Sequence, residues 1–176
     1  GEAARRRYWA RSTLGWPPFQ QALPNSSHHA LARLEAQGRL TGLITQNVDR
    51  LHQRAGHQQV LDLHGRLDRA SCQSCSRPVA RAELQRWLMS TNQALLGGLR
   101  AQLEREHRAR GQRVPDGDAP VTRIAEAFQI PDCAGCGGIL KPDVVFYGES
   151  VPKSWVQRAS AWVEEADALL VVGSSL

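Results

Sequence analysis

Four cysteines stand in two pairs, Cys72-x-x-Cys75 and Cys133-x-x-Cys136, and the chain has no others. Two thiolates at this spacing can chelate one Zn²⁺, and two such pairs complete a tetrahedral four-sulfur shell. A closed shell leaves no position for a reacting water, so the metal would be structural. Cys133-Ala134-Gly135-Cys136-Gly137-Gly138 supplies glycines where the backbone must turn tightly round an ion. The 57 residues between the pairs exceed the usual gap of roughly 15–20 in a zinc ribbon, which implies an insertion. Two disulfides or four free thiols are the alternatives. With no secretory segment in sight, disulfides are the poorer reading.

Three polar clusters offer further chemistry: Gln46-Asn47-Val48-Asp49, His64-Gly65 and Gly173-Ser174-Ser175. Each follows an apolar run. Leu40–Thr45 reads as a strand, as do Val60–His64 and the wholly apolar 168–172. A strand apolar on both sides suits a parallel sheet covered on both faces. Between them lie helical patterns: one capped by Asn25-Ser26 and ending at Gly38, a short one from Leu51 to Gly56, and one over 154–166. Residues 144–147 read as a further extended segment. Alternation of this kind predicts an α/β fold, a Rossmann-like doubly wound parallel sheet, whose ligands sit at the carboxyl ends of strands. The three clusters fall at those ends. Residues 82–110 carry Leu84, Trp87, Leu88, Leu95, Leu96, Leu99 and Leu103 at helical spacing, with a break expected at Gly97-Gly98 and an exposed loop over 111–120. The expected organisation is therefore a sheet domain of 1–71 and 137–176, with 1–24 as its cofactor-loop or helical part. A zinc module of 72–136 is inserted in it.

Composition narrows the class. Hydrophobic residues make up 41% and charged residues 22% of the 176, which argues against a wholly disordered chain. No apolar run approaches the length of a membrane span. The net charge is +5, concentrated toward Arg5, Arg6, Arg7 and Arg11, and 20 of the 22 basic residues are Arg. Codon usage in a GC-rich genome accounts for such a bias; attraction to anionic partners is the alternative. The basic stretch lacks interleaved aromatics, so no specific nucleic acid is expected.

Taken together, these motifs resemble the sirtuin family of NAD-dependent protein deacylases. The resemblance rests on Thr45-Gln46-Asn47-Val48-Asp49-x-Leu51-His52-x-x-Ala55-Gly56, Leu63-His64-Gly65, the two zinc pairs, Lys141-Pro142-Asp143-Val144-Val145-Phe146-Tyr147-Gly148-Glu149, and Gly173-Ser174-Ser175-Leu176, in that order. The start, Arg6-Arg7-Tyr8-Trp9-Ala10-Arg11 with Gly15-Trp16-Pro17, looks most like the mitochondrial and bacterial class II branch.

The resemblance implies an enzyme that consumes NAD as co-substrate. An acyl-lysine oxygen attacks C1′ of the nicotinamide ribose, nicotinamide leaves, and a base helps a ribose hydroxyl attack the imidate. The products are free lysine, nicotinamide and O-acyl-ADP-ribose. His64 would be that base, and imidazole titrates where the step needs it. Asn47 and Asp49 would hold the carboxamide and ribose, and Gln46 the ribose. Gly173, Ser174 and Ser175 would take the phosphate and adenosine-ribose end. Val145, Phe146 and Tyr147 would meet the acyl-lysine peptide, Val145 and Tyr147 forming its tunnel. The family usually has Phe where Tyr147 stands. Tyr8 and Arg11, three apart, would share a helix face, and in some relatives such a pair reads acidic acyl groups. His52 reads as packing or support, and His28, His29, His57 and His107 as surface or structural.

The expected partner is an acyl-lysine protein or peptide, with no membrane partner; the oligomeric state is not legible. The family's Gly-Ala-Gly loop and the stretch after Leu176 are not in the sequence, which begins at Gly1 with Met89 as its only Met. A piece of a longer protein is expected, weak or inactive alone. Bacterial cytoplasm is the expected location, or the mitochondrion if a presequence precedes Gly1. Mono-ADP-ribosyl transfer is the rival enzyme reading. A non-catalytic zinc-ribbon interaction or nucleic-acid module is the rival outside enzymes.

Overall fold

The computed structural model describes residues 1–99, 101 and 124–173. The expected loop over 111–120, Leu103, Ser174 and Ser175 lie outside the described residues. The described chain forms two compact units, residues 1–21 with 69–141, and residues 22–68 with 142–176. The sequence pattern places 1–24 with the sheet domain, whereas residues 1–21 fold with the cysteine-bearing unit.

In that first unit, helix α1 (Glu2–Gln21) buries Trp9, Ala10, Thr13 and Trp16. Helix α4 (Arg81–Thr91) buries Arg81, Leu84 and Leu88. These apolar side chains join Ala70, Cys72, Leu96, Leu99, Phe128, Cys133 and Leu140 in one core. The pull of that core explains the domain difference: Trp9 is 1% exposed, and an indole of that size buries too much area to be left on a solvated helix.

Arg81 is buried in the same place. Its guanidinium lies 4.8 Å from the Trp16 ring centroid and 5.5 Å from that of Trp9. One terminal nitrogen donates to the Ser12 carbonyl and hydroxyl, both at 3.0 Å. Burial pulls its pKa down to about 10, partly offset by Tyr8 nearby.

The helical insertion breaks earlier than the glycines suggested. Residues 93–99 are helical through Gly97 and Gly98, and the interruption falls at Asn92. The buried Asn92 amide donates to the Leu88 and Gln129 carbonyls and accepts from the Gln129 N–H, at 2.8–3.0 Å. A side chain that satisfies the helix end and a distant strand of backbone fixes the break better than glycine flexibility does.

In the second unit, β1 (Leu43–Thr45) and β2 (Val60–Asp62) run parallel, with Thr45 opposite Asp62. Helix α2 (Ser26–Ala36) starts as expected: Asn25 accepts from the Ser27 and His28 N–H groups, and His28 reaches back to Asn25. The short α3 (Leu51–Arg54) follows β1, and α5 (Lys153–Glu164) lies near the C-terminal end. Strand β3 (Gly65–Cys72) carries the chain from the second unit into the first. It is the middle strand of a three-stranded sheet, between β4 (Pro78–Ala80) and β5 (Leu140–Val144).

Two expected strands are corrected. The extended segment is Leu140–Val144 and not 144–147, because a turn closes beyond it: the Glu149 N–H donates to the Phe146 carbonyl and the Phe146 N–H to the Glu149 carboxylate. Residues 168–172 are not a strand, and Leu169, Leu170 and Val172 are 62–76% exposed. A strand apolar on both faces needs neighbours, and none pairs with it among the described residues.

Replacing Asn92 with Ala should lower the unfolding free energy by roughly 1–3 kcal/mol, because both partners on Gln129 lose their bonds. Thermal melts of the zinc-loaded protein would measure it. An unchanged melting temperature would show that the glycines, and not Asn92, set the break.

Candidate metal centre and candidate nucleotide site

The four sulfurs come together. Sγ of Cys72 lies 3.5 Å from that of Cys136, Sγ of Cys75 lies 3.7 Å from that of Cys133, and all four fall within 4.8 Å of one another. A Zn–S bond of about 2.3 Å places tetrahedral sulfurs about 3.8 Å apart, so the spacing fits the ion. The loops aim backbone N–H groups at sulfur: Ser74 to Cys72 and Gly135 to Cys133, each at 3.4 Å. Close quarters explain the glycines. A Cβ on Gly138 would sit 2.7 Å from the Cys72 sulfur, and one on Gly135 would sit 2.6 Å from the Arg77 guanidinium.

The electrostatics ask for a cation. Backbone N–H groups, that of Cys75 foremost, pull the Cys72 thiol down to about 6. Cys136 also has a backbone N–H, from Gly138, but the neighbouring sulfurs of Cys75 and Cys72 push it up to about 12. One thiolate therefore opposes the next, and a dication removes the conflict.

The second unit gathers most of the other polar residues. Gln46 and Asn47 are exposed just beyond β1, and Asp49 is half-buried. Thr45 Oγ accepts from the Asn47 N–H at 3.1 Å, and one Asp49 carboxylate oxygen accepts from the Leu51 N–H at 2.9 Å. The Leu67 N–H donates to the Val48 carbonyl at 2.9 Å. His64 follows β2, half-buried, and its carbonyl accepts from the Val145 N–H at 3.0 Å. Gly65 next to it has φ +84°, and a Cβ there would collide with the Asp143 carbonyl oxygen. Since Thr45 and Asp62 are opposite each other, Gln46–Asp49 and His64 emerge beyond the same edge of the parallel pair. Val145 and Phe146 are half-buried, but Tyr147 is fully exposed after the turn, so strict alternation of Val145 and Tyr147 does not hold. Gly173 is exposed with φ +68°.

Tyr8 and Arg11 belong to the first unit. Tyr8 is half-buried; burial raises its phenol pKa, against a hydrogen bond to Ser12 and the charge of Arg81. Arg11 is exposed. The buried cation that packs against α1 is Arg81, the first residue of α4; an Arg that opens a helix after Pro78-Val79-Ala80 carries no sequence signal of burial.

Also missed was a histidine cluster. The His52 ring centroid is 4.6 Å from that of His28 and 5.5 Å from that of His57. His57 is fully buried, with Nδ1 3.3 Å from the Glu35 carboxylate. That carboxylate also accepts from the Gln58 and Gln59 N–H groups at 2.8 and 2.7 Å. Burial works against Glu35, yet these donors hold its pKa below the usual range.

The chain thus combines a parallel α/β unit, with polar turns at one strand edge, and a four-cysteine cluster whose spacing fits one metal ion. The family model described as "Sir2 family" matches residues 2–176, and the chain belongs to the Sir2 family. A relative named NAD-dependent protein deacetylase from Xanthomonas campestris is 53% identical over 175 residues, 99% of this chain and 56% of the relative. Solved sirtuin structures are similar too. One titled "The Structural basis of Sirtuin Substrate Affinity" has a TM-score of 0.69 at 27% identity, covering 97% of this chain and 55% of that one. Another, "Sir2 bound to acetylated peptide", has a TM-score of 0.65 at 25% identity, covering 92% and 52%. The chain thus spans a little over half the length of the relatives it matches.

Two outcomes are expected. The protein should bind one zinc ion per chain, and Cys75→Ser or a strong chelator should unfold the first unit; full near-UV circular dichroism after metal removal would contradict this. Burial first, then His28 and His57, lower the pKa of His52 from its ordinary value near 6.5, against a smaller pull from Asp49 and Asp62. The unfolded chain therefore takes up this proton first, and stability should fall as pH drops below 6.5. His52→Gln should flatten that dependence in denaturant titrations between pH 7 and 5, and an equally steep fall would assign it elsewhere.

Proposed function

We propose that the whole protein is an NAD-dependent protein-lysine deacylase, yielding free lysine, nicotinamide and O-acyl-ADP-ribose. The observation that carries this reading is the common edge of β1 and β2. The register there, Thr45 opposite Asp62, supports a site built from the Gln46–Asp49 turn and His64 in a chain of the Sir2 family.

In this reading the exposed Asn47 amide and the Asp49 carboxylate oxygen not used by Leu51 hold the nicotinamide carboxamide and ribose. NAD supplies the activated ribose carbon. Gln46 takes a ribose hydroxyl, and the His64 imidazole accepts the proton of the hydroxyl that attacks. The tie from Val145 N–H to the His64 carbonyl keeps the His64 backbone against the segment Val145–Tyr147, which receives the acyl-lysine peptide. The exposed Tyr147 meets the peptide from outside the fold. Gly173, Ser174 and Ser175 take the phosphate and adenosine-ribose end. Cys72, Cys75, Cys133 and Cys136 would hold a zinc ion whose closed sulfur shell serves the fold and leaves no position for a reacting group.

We assign to Tyr8 and Arg11 the reading of an acidic acyl group, supported by their shared face of α1 and the guanidinium's fit to a carboxylate. Bacterial relatives and the Arg-rich composition support a bacterial cytoplasm.

Mass spectrometry of the full-length, zinc-loaded protein with NAD and acetyl-, succinyl-, glutaryl-, 3-hydroxy-3-methylglutaryl- and lipoyl-lysine peptides tests the reading. O-acyl-ADP-ribose should form and fall roughly 10²–10⁴-fold in His64→Ala. A preference for carboxylate-bearing groups, lost in Arg11→Gln, would support the acid-reading pair. ADP-ribose attached to protein, with no O-acyl product, would replace deacylation by ADP-ribosyl transfer.

A further inference from the structure

Among the described residues only Arg50 and Ser76 are non-glycine residues with positive φ. Arg50, at φ 63° and ψ 18°, stands between Asp49 and the first residue of α3. Glycine would take this backbone at no steric cost, and arginine takes it against a steric penalty. A side chain kept there at a cost has a task.

Its guanidinium pairs with the Asp62 carboxylate, and both groups are mostly buried. The other Asp62 oxygen accepts from the Gln53 amide at 2.9 Å. Asp62 is the last residue of β2 and lies opposite Thr45, the residue from which the Gln46–Asp49 turn departs. The Leu63 N–H, one residue on, donates to the Thr45 carbonyl at 2.8 Å. Asp62 therefore ties the turn on its exit side through Arg50 and Gln53, while the strand pair fixes its entry at Thr45. Between these anchors the Gln46 and Asn47 side chains are exposed. A second pair on β3, Arg66 with Asp68, lies within electrostatic reach: Asp68 also feels Arg50, and Arg66 also feels Asp62 and Asp143. Charges of both signs thus alternate around the anchor, and removal of one leaves its partner mostly buried and unpaired.

We propose that Arg50 and Asp62 form a positioning clamp that holds the Gln46–Asp49 turn in the shape that receives the nicotinamide end of NAD. The clamp rests on the deacylase reading for its ligand. It touches neither reacting atom and acts through Asn47 and Asp49. It therefore governs the affinity for NAD and leaves proton transfer at His64 intact.

The test uses the full-length, zinc-loaded protein with Asp62→Asn and Arg50→Gly, singly and together, and Arg50→Lys as the conservative variant. Arg50→Gly removes the guanidinium and relieves the backbone penalty, so a loss in this variant is not strain. Each single variant should raise KM for NAD about tenfold while kcat stays within about twofold. The double variant should be no worse than the poorer single, because the two residues act as one unit. Arg50→Lys should recover part of the affinity. Amide hydrogen exchange across 46–51 should quicken in Arg50→Gly, Asp62→Asn and the double variant, with residues 69–99 unchanged. Unchanged KM and unchanged exchange would overturn the clamp, as would additive losses or a loss confined to kcat. If the unaltered protein gives no NAD-dependent product, the deacylase reading fails by itself. The exchange result still decides whether Arg50 and Asp62 hold the turn.

Discussion

At Gly65 two backbones pass so closely that no side chain fits: a Cβ would strike the carbonyl oxygen of Asp143. This approach fixes much else in the second unit. The residue before Gly65 is His64, whose carbonyl is bonded to the Val145 N–H, so the proposed base and the proposed peptide strand are set by one backbone meeting. The φ of +84° that the meeting requires is open to glycine at little cost. A histidine placed this way needs no side-chain network to locate it, because the backbone on either side is already committed. At the end of the neighbouring strand β1 the Gln46–Asp49 turn is committed too, by Asp62 and by the bond from Leu67 to Val48.

The cysteine unit solves a different problem. Its sulfurs work against one another's ionisation: backbone N–H groups favour the thiolate at Cys72, and the neighbouring sulfurs hold the proton on Cys136. The ribbon is joined to a core of large apolar side chains, and Cys72 and Cys133 are members of that core. The four-cysteine cluster and hydrophobic burial are therefore joined in one unit, and a metal bound there would stabilise both. α1 shares this dependence. It was expected to serve the nucleotide domain, but Trp9, Trp16 and the buried Arg81 tie it to α4.

Much of the candidate site was legible in the sequence because it consists of local patterns. Paired cysteines announce a metal by spacing alone, and the four sulfurs do converge. Asn25 announced its helix because capping is decided within three residues. What could not be read was tertiary. Nothing local distinguishes Arg81 from the exposed Arg86, and only packing against α1 buries the first. The Gly97-Gly98 pair looked like a helix breaker, yet Asn92 took that role through a partner 37 residues away. The Asp62–Arg50 tie spans 12 residues and follows from the register of β1 on β2. The apolar run 168–172 was read as a covered strand on composition, but pairing depends on neighbours that composition does not reveal.

That run has a colloidal consequence. Leu169 to Val172 present four consecutive aliphatic side chains to solvent, with β-branched residues at the end, the pattern from which cross-β contacts grow. Just ahead of it stand Glu164, Glu165 and Asp167, all exposed. Like charges at the mouth of a sticky segment act as gatekeepers, since stacking copies would bring the carboxylates together. Three carboxyl groups ahead of the stripe therefore limit contact between copies of this polypeptide.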